Sequence, residues 1–559
     1  MGLIIALPRR GVKDRPGNIN GVIRRFVSVK NLYLSEQILS NRLSSDILDA
    51  ELEDRRVNMR REIVVHTGDT ARFRNLTDYC VGTGRVDLAL HKEYHEQMAA
   101  VQKECHFRHV RGHGLFSDQM GIWQEFGPPF FERQQWFCFT YLDRVIDAWL
   151  ENGLEPFLEL GFMPEKLASA EQTLFYWKAH TVPPKDPEEW CCLVRETLKH
   201  LVHRYGREKV ESWPCEVWNE PNLPGFWKGA DKAAYLELYR ITVGAVKEIL
   251  PGMKVGGPAI CGGEGSQQWI SDFLAFCRDE KLPVDFVTRH AYLGQTPEHK
   301  ARYLYHQMND PEFLIAEMQE SRDLIDSFPE YKGMPMYITE FNTSYDPFCP
   351  IHDTNLNAVT CAALLSRLGD VADGYSYWTF GDVFEEKGIP NRPFHGGFGM
   401  MANGLIPKPT LWAFAFFANL TGECMLRDEN AVVTRREDGG CEAVLWNLCK
   451  AGQAEDLELE LTLPMEGDCA ALVDLVDEET CNPLACWHRM GEPADLNEEQ
   501  LAFLKAAGQP AKKVLTPEKT GEGAKVTLTL APNALVRLRV VPAERSSDPG
   551  YEYGWYCKE

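Results

Sequence analysis

Glu216-Val217-Trp218-Asn219-Glu220-Pro221-Asn222-Leu223 reads as a short apolar strand, Glu216–Asn219, whose end carries a carboxylate among aromatic and amide side chains. Downstream, Ala233–Leu250 has the spacing of an amphipathic helix, Pro251-Gly252 stops it, and Lys254–Pro258 begins another apolar run. Strand, loop, helix, turn and strand in that order make one βα unit.

The same unit repeats outward in both directions. Eight strand candidates are Tyr79–Gly82, Phe107–Gly112, Glu155–Gly161, Glu216–Asn219, Lys254–Pro258, Phe286–His290, Met336–Asn342 and Tyr375–Phe380. Helix-like stretches between them include Tyr141–Asn152, Pro187–Tyr205, Ala233–Leu250 and Thr354–Leu368. Lys185-Asp186-Pro187 is a start signal, an N-cap Asp followed by Pro at the first helical position. Eight βα repeats across residues 79–415 fit an α/β fold of the (β/α)8 TIM-barrel type. A doubly wound open sheet is the alternative. Its phosphate-binding glycine turn is matched only by Gly82-Thr83-Gly84-Arg85-Val86-Asp87, which lacks the third glycine.

The flanks differ in texture. After about residue 420, Ala443–Asn447, Asp456–Pro464, Ala470–Val476, Ala524–Leu530 and Ala534–Val541 alternate apolar and polar residues with period two. That pattern predicts an accessory antiparallel β-sandwich over 416–559, interrupted by a polar insertion at 487–521 in which Leu496–Ala507 is helix-like. Ile63-Val64-Val65, within a linking segment 62–78, is a free strand suited to the same sandwich. Residues 1–61 carry 12 Lys/Arg against 7 Asp/Glu and read as a solvated extension, or as sequence upstream of a start at Met59.

The 559 residues hold 82 Asp+Glu against 59 Lys+Arg, a net charge of −23. Such a surface repels phosphate backbones, so nucleic acid and anionic membranes are excluded as partners. No apolar run approaches the roughly 18 residues of a membrane span. The 17 cysteines include no C-x-x-C pair, which fits free thiols in a reducing compartment, and the N-terminus lacks a signal-peptide pattern. The expected location is cytoplasmic. His106, His109 and His113 do not form a metal set, because strand geometry sends 106 and 109 to opposite faces and spaces 109 and 113 by about 13 Å.

In a barrel, the strands' C-terminal ends carry the chemistry. Two ends stand out: Glu220 after the fourth strand, and Glu340 in Tyr337-Ile338-Thr339-Glu340-Phe341-Asn342 at the seventh. A Glu embedded in apolar and aromatic residues is costly unless it is paired or has chemical work to do. Strands three apart in an eight-strand ring face each other across the mouth. Paired carboxylates are what glycosidic bond cleavage requires, at roughly 5–5.5 Å for retention. Glu159, ending the third strand candidate, reads equally well as a structural ion pair. Asn342-Thr343-Ser344 is formally a glycosylation sequon, but it abuts the mouth and is read as unmodified.

Longer blocks carry a resemblance. Phe107–Asp118, Pro156–Pro164, Glu216–Leu223, Asp285–Tyr292, and Tyr377–Phe380 running on to Phe394–Gly399 resemble glycoside hydrolase family 39, the family of β-xylosidases and α-L-iduronidases. The resemblance spans roughly 79–415 and implies a retaining (β/α)8 glycosidase without cofactor or metal. It implies Glu220 as general acid/base, with Asn219 toward the sugar 2-hydroxyl, and Glu340 as nucleophile. His113, His290 and Tyr292 would line the sugar subsite, Trp378 would stack on a pyranose, and Glu385 or Glu386 would meet sugar hydroxyls.

The eighth-strand block is the xylosidase-like form, so release of terminal β-D-xylose from xylooligosaccharides is expected. An α-L-iduronidase, a β-glucosidase or a β-galactosidase on the same scaffold is the alternative, with Arg289 and Arg392 as cations that could meet a uronate. A non-catalytic carbohydrate-binding barrel is the more distant one. Family resemblance also implies a homo-oligomer, often a tetramer.

Overall fold

The computed structural model describes residues 59–127, 134–449, 455–543, 550 and 555–556. Of the extension expected at residues 1–61, 1–58 lie outside the described residues, whereas 59–61 open the strand Met59–Val64; what is described belongs to one compact unit, Met59–Glu559.

The expected (β/α)8 barrel is the observed one. Its parallel strands are, in chain order, Cys80–Arg85, His109–His113, Glu155–Leu160, Cys215–Val217, Val255–Ile260, Phe286–Tyr292, Met336–Asn342 and Gly374–Tyr377, closed in a ring. The predicted helix at 187–205 begins where the sequence signals it: the Asp186 carboxylate accepts from the N–H groups of Glu188 and Glu189, with Pro187 at the first position. Its buried face, Trp190, Leu193, Val194, Thr197, Leu198 and Leu201, follows the three- and four-residue steps of one helical stripe. The eighth helix, Pro409–Ala418, is buried on nearly all sides because it lies between two layers. Phe414 packs on Tyr377 of the barrel at 4.8 Å between ring centres, and Phe417 packs on Trp446 of the sandwich at 6.1 Å.

The glycines at 82 and 84 serve packing, not phosphate. A Cβ on Gly82 would come within 2.5 Å of the Trp378 ring, and one on Gly84 within 2.8 Å of Phe384. The first strand is bare so that aromatic side chains from the eighth strand and its loop can close over it.

Four- and six-stranded sheets enclose a second core of Ile63, Val65, Leu459, Leu461, Val433, Ala443, Leu445, Val536 and Leu538, among others. Two features depart from expectation. The upstream strand Met59–Val64 pairs parallel, not antiparallel, with Leu457–Leu463, because the chain enters the sandwich before the barrel and leaves in the same direction. The polar stretch 487–521 is not wholly an insertion: Ala511–Leu515 pairs antiparallel with Cys469–Val476 as an edge strand, its outer lysines masking the alternation. Cys424–Arg427 and Ala431–Arg435 are two further strands, too short to register as periodic. Among the described residues, two-stranded antiparallel pairs decorate the second, third, sixth and eighth βα loops: Trp123–Phe126 with Gln134–Phe137, Thr173–Leu174 with Ala179–His180, Gly294–Lys300 with Tyr303–Met308, and Met401–Ala402 with Ile406–Pro407. Among the described residues, no helix is long and apolar enough to cross a membrane.

Candidate active site

The mouth of the barrel is organised around a side chain that sequence reasoning missed. Arg111, inside the second strand, is fully buried. Its Nε donates to Glu216 Oε2 at 2.7 Å, its Nη1 to Glu340 Oε1 at 2.8 Å, and its Nη2 to Asn219 Oδ1 at 2.8 Å, with Glu159 Oε2 at 2.9 Å. Burial opposes its charge, but Glu216, Glu159 and Glu340 outweigh that, and the guanidinium stays protonated. The signal that could have found it is a charged residue in Phe107-Arg108-His109-Val110-Arg111-Gly112, at a barrel-interior position.

Glu220 and Glu340 are brought together as predicted from their strand positions. They are 6% and 4% exposed, and a carboxylate oxygen of each lies within 4.8 Å of the other. The backbone around Glu220 is strained to aim it inward. Trp218 and Glu220 adopt left-handed φ values of 71° and 45°, costing roughly 1–2 kcal/mol apiece, and Glu220 N–H donates to Ala259 O at 2.9 Å.

The two carboxyls have different company. Glu340 accepts from Arg111 Nη1 at 2.8 Å and from the Tyr292 hydroxyl at 2.7 Å. Burial pushes both carboxyls up; for Glu340 the Arg111 and Tyr292 donors offset part of that rise, whereas for Glu220 the Glu340 charge adds to it. Titrating as a pair, they lose the first proton from Glu340 and retain the last on Glu220. Burial also holds the Tyr292 phenol well above its usual range, so it stays a donor.

Histidines flank both. His290 Nδ1 lies 2.8 Å from Glu220 Oε1, and burial, then Arg111, keeps the imidazole neutral. His113 is held down to about 3 by burial, with Arg111 acting in the same direction. Glu159, the residue weighed as an ion pair, does pair with Arg111, yet burial raises it to about 8. The same Glu159 Oε2 lies 2.8 Å from His113 Nδ1, and His113 Nε2 faces Glu340 Oε1 at 3.4 Å. Glu220, His290 and Glu340 are close enough to hold a cation, but the Arg111 and Tyr292 hydrogen bonds already serve the Glu340 oxygens.

Of the buried nitrogens without a hydrogen-bond partner among the described residues, Asn219 Nδ2 and His290 Nε2 lie beside the carboxylate pair. Both are positioned to donate to or accept from a polar ligand in the mouth. Trp378 is buried, its ring 4.6 Å from His113 and edge-on to Phe384 at 6.0 Å. The two acidic candidates separate. Glu385 is turned away into an ion pair with Arg85, whereas the Glu386 carboxyl is pushed well up by burial and then by the charges of Glu340 and Glu220. The sequon is closed, since buried Asn342 donates its Nδ2 to Trp378 O at 2.5 Å.

A closed parallel barrel with two buried glutamates facing each other across its C-terminal mouth is a framework for glycosidic bond cleavage, and the chain is a glycoside hydrolase. A sequence model described as glycosyl hydrolases family 39 matches residues 62–524. The chain belongs to that family. It is 43% identical over 490 residues to a beta-xylosidase of Geobacillus stearothermophilus, covering 86% of this chain and 96% of that one. A beta-xylosidase of Caldicellulosiruptor saccharolyticus is 34% identical over 446 residues, 78% of this chain and 88% of that one. The crystal structure of a monomeric beta-xylosidase from Caulobacter crescentus CB15 superposes with a TM-score of 0.79 at 30% identity, over 87% of this chain and all of that one.

Proposed function

We propose that the protein is a retaining exo-β-xylosidase that releases terminal β-D-xylose from xylooligosaccharides through a covalent glycosyl-enzyme. The observation that carries this reading is the asymmetry of the carboxylate pair. Glu340, held ionised by Arg111 and Tyr292, attacks the anomeric carbon, and Glu220 gives its proton to the departing oxygen. In the second half-reaction Glu220, now a carboxylate, takes a proton from water, which displaces Glu340. An oxygen of each carboxylate lies within 4.8 Å of the other, which supports the short separation of roughly 5–5.5 Å that retention uses over the roughly 6.5–9.5 Å of inversion. Asn219 Nδ2 is a free donor for a sugar hydroxyl beside the reacting carbon, and the neutral imidazole of His290 is another polar contact there.

A neutral sugar suits the charge at the mouth. Several carboxyls share one guanidinium, and Arg289 is turned outward to Ser321 and Glu317, so it cannot greet a uronate. The relatives described as beta-xylosidases support xylose over glucose or galactose. Glu340→Ala should stop turnover of an aryl β-xyloside, and azide should restore it with an α-xylosyl azide as product. A β-configured azide, or an unaffected variant, overturns the assignment. The same assay over aryl β-glucoside, β-galactoside, α-arabinoside and α-iduronide sets the specificity. Fastest turnover of the iduronide would reassign the substrate and point to Arg392, whose Nε has no partner among the described residues.

A further inference from the structure

The loop after the eighth strand is long, running from Trp378 to the helix that starts at Pro409; it carries Trp378, whose ring lies 4.6 Å from His113, and Glu386, which feels the charges of Glu340 and Glu220. A loop of that length must be held by something that offsets its ordering entropy. Away from the carboxylate pair, at its far end, lies a buried cation that no step of the chemistry uses. Lys408 is fully buried, with its Nζ 2.6 Å from Asp353 Oδ1 and 2.6 Å from Asp382 Oδ2, and it donates to Gly397 O at 2.9 Å. The remaining carboxylate oxygens are used as well: Asp353 Oδ2 accepts from Gly396 N–H and Asp382 Oδ1 from Gly399 N–H, both at 2.7 Å.

This cluster ties three places together: the seventh loop at Asp353, the start of the eighth loop at Asp382, and its return at Gly396–Gly399. The approach is so close that a Cβ on Gly397 would sit 2.4 Å from Asp382 Oδ1, and one on Gly399 2.5 Å from Asp382 N. A buried ammonium between two carboxylates is a poor source of stability compared with apolar packing, so its value lies in fixing one geometry. The geometry leads to the pocket. Phe398, adjacent to the clamped glycines, packs on Phe384 at 5.1 Å, and Phe384 packs on Trp378 at 6.0 Å. Phe384 lies midway along the chain between Asp382 and Glu386.

We propose that Lys408, with Asp353 and Asp382, is a positioning residue for the sugar pocket, holding the eighth loop so that Glu386 and Trp378 face the carboxylate pair. It touches no substrate; it acts on substrate binding through Glu386. The inference rests on reading the mouth as a glycosidase pocket, and wild-type turnover of the aryl glycosides tests that reading separately.

The test is a double-mutant cycle on whichever aryl glycoside the wild type hydrolyses fastest, with Lys408→Met, Glu386→Gln and the combination. Each single variant should raise KM on the order of tenfold with a smaller change in kcat, and the double variant should be no worse than the poorer single one. A KM increase in the double variant equal to the product of the two single effects overturns the proposal, as does a folded Lys408→Met enzyme with wild-type KM. If Lys408→Met does not fold, Asp382→Asn takes its place in the cycle. It keeps the Lys408–Asp353 pair and an acceptor for Gly399 N–H, and the same two outcomes decide.

Discussion

Tyr292→Phe removes one hydroxyl and no ring, so it isolates the bond that separates the two glutamates. The Tyr292 hydroxyl donates to Glu340 Oε2 at 2.7 Å, within the range of a charge-assisted hydrogen bond. Such bonds contribute about 1.5–3 kcal/mol, and about 1.4 kcal/mol corresponds to one pKa unit. Glu340 keeps its Arg111 partner at 2.8 Å, so the lower end applies, a rise of about one unit. The sign follows from which form the bond favours. Tyr292 favours the ionised carboxylate, and its loss raises the Glu340 pKa. With Glu340 as the proposed nucleophile, the acidic limb of the kcat/KM profile, which reports its ionisation in free enzyme, should therefore move to higher pH by about one unit. Below that limb activity falls about tenfold; well above it the ionisation deficit vanishes. The assay is kcat/KM for an activated aryl β-xyloside across the pH range in which the wild-type profile is bell-shaped. An unmoved acidic limb with a displaced alkaline limb would refute the allocation of protons, because it would mean that Tyr292 serves the proton donor.

Two other substitutions probe different links. Glu220→Ala should cost poor leaving groups roughly 10²–10⁴-fold in kcat/KM, which reports the first half-reaction, while sparing the kcat/KM of activated aryl leaving groups, which depart without a proton; equal kcat/KM losses across a leaving-group series would remove Glu220 from the acid role. Asp186→Ala deletes the cap of the helix Pro187–Tyr205 and should lower unfolding free energy by about 1 kcal/mol in urea titration with kcat unchanged; an unchanged midpoint would show that the cap does not contribute.

The barrel was legible because each of its units obeys local rules. The stripe of Trp190, Leu193, Val194 and Leu201 and the stops at Pro251-Gly252 need no knowledge of the rest of the chain. Glu220 and Glu340 were legible for a related reason: strand ends in a closed ring have fixed places, so two positions in the sequence imply a geometry across the mouth. Arg111 was not, since its meaning depends on Glu159, Glu216, Asn219 and Glu340 converging from three other strands. Nor could sequence choose between Glu385 and Glu386. Adjacent residues there face different surroundings, and the choice is made by Arg85, three hundred residues away. The edge strand Ala511–Leu515 was hidden because exposed lysines both protect an edge and erase its periodicity. The clamp at Lys408 was hidden because Asp353, Asp382 and Lys408 meet only through the tertiary fold.

The central claim is that Glu340 attacks the sugar directly while Glu220 moves the proton. Proton NMR of the first xylose released from an aryl β-xyloside, recorded before mutarotation, tests it most directly. With Glu340 as the attacking group, the β-anomer appears first. First appearance of the α-anomer would mean a single displacement by water, and would contradict the account.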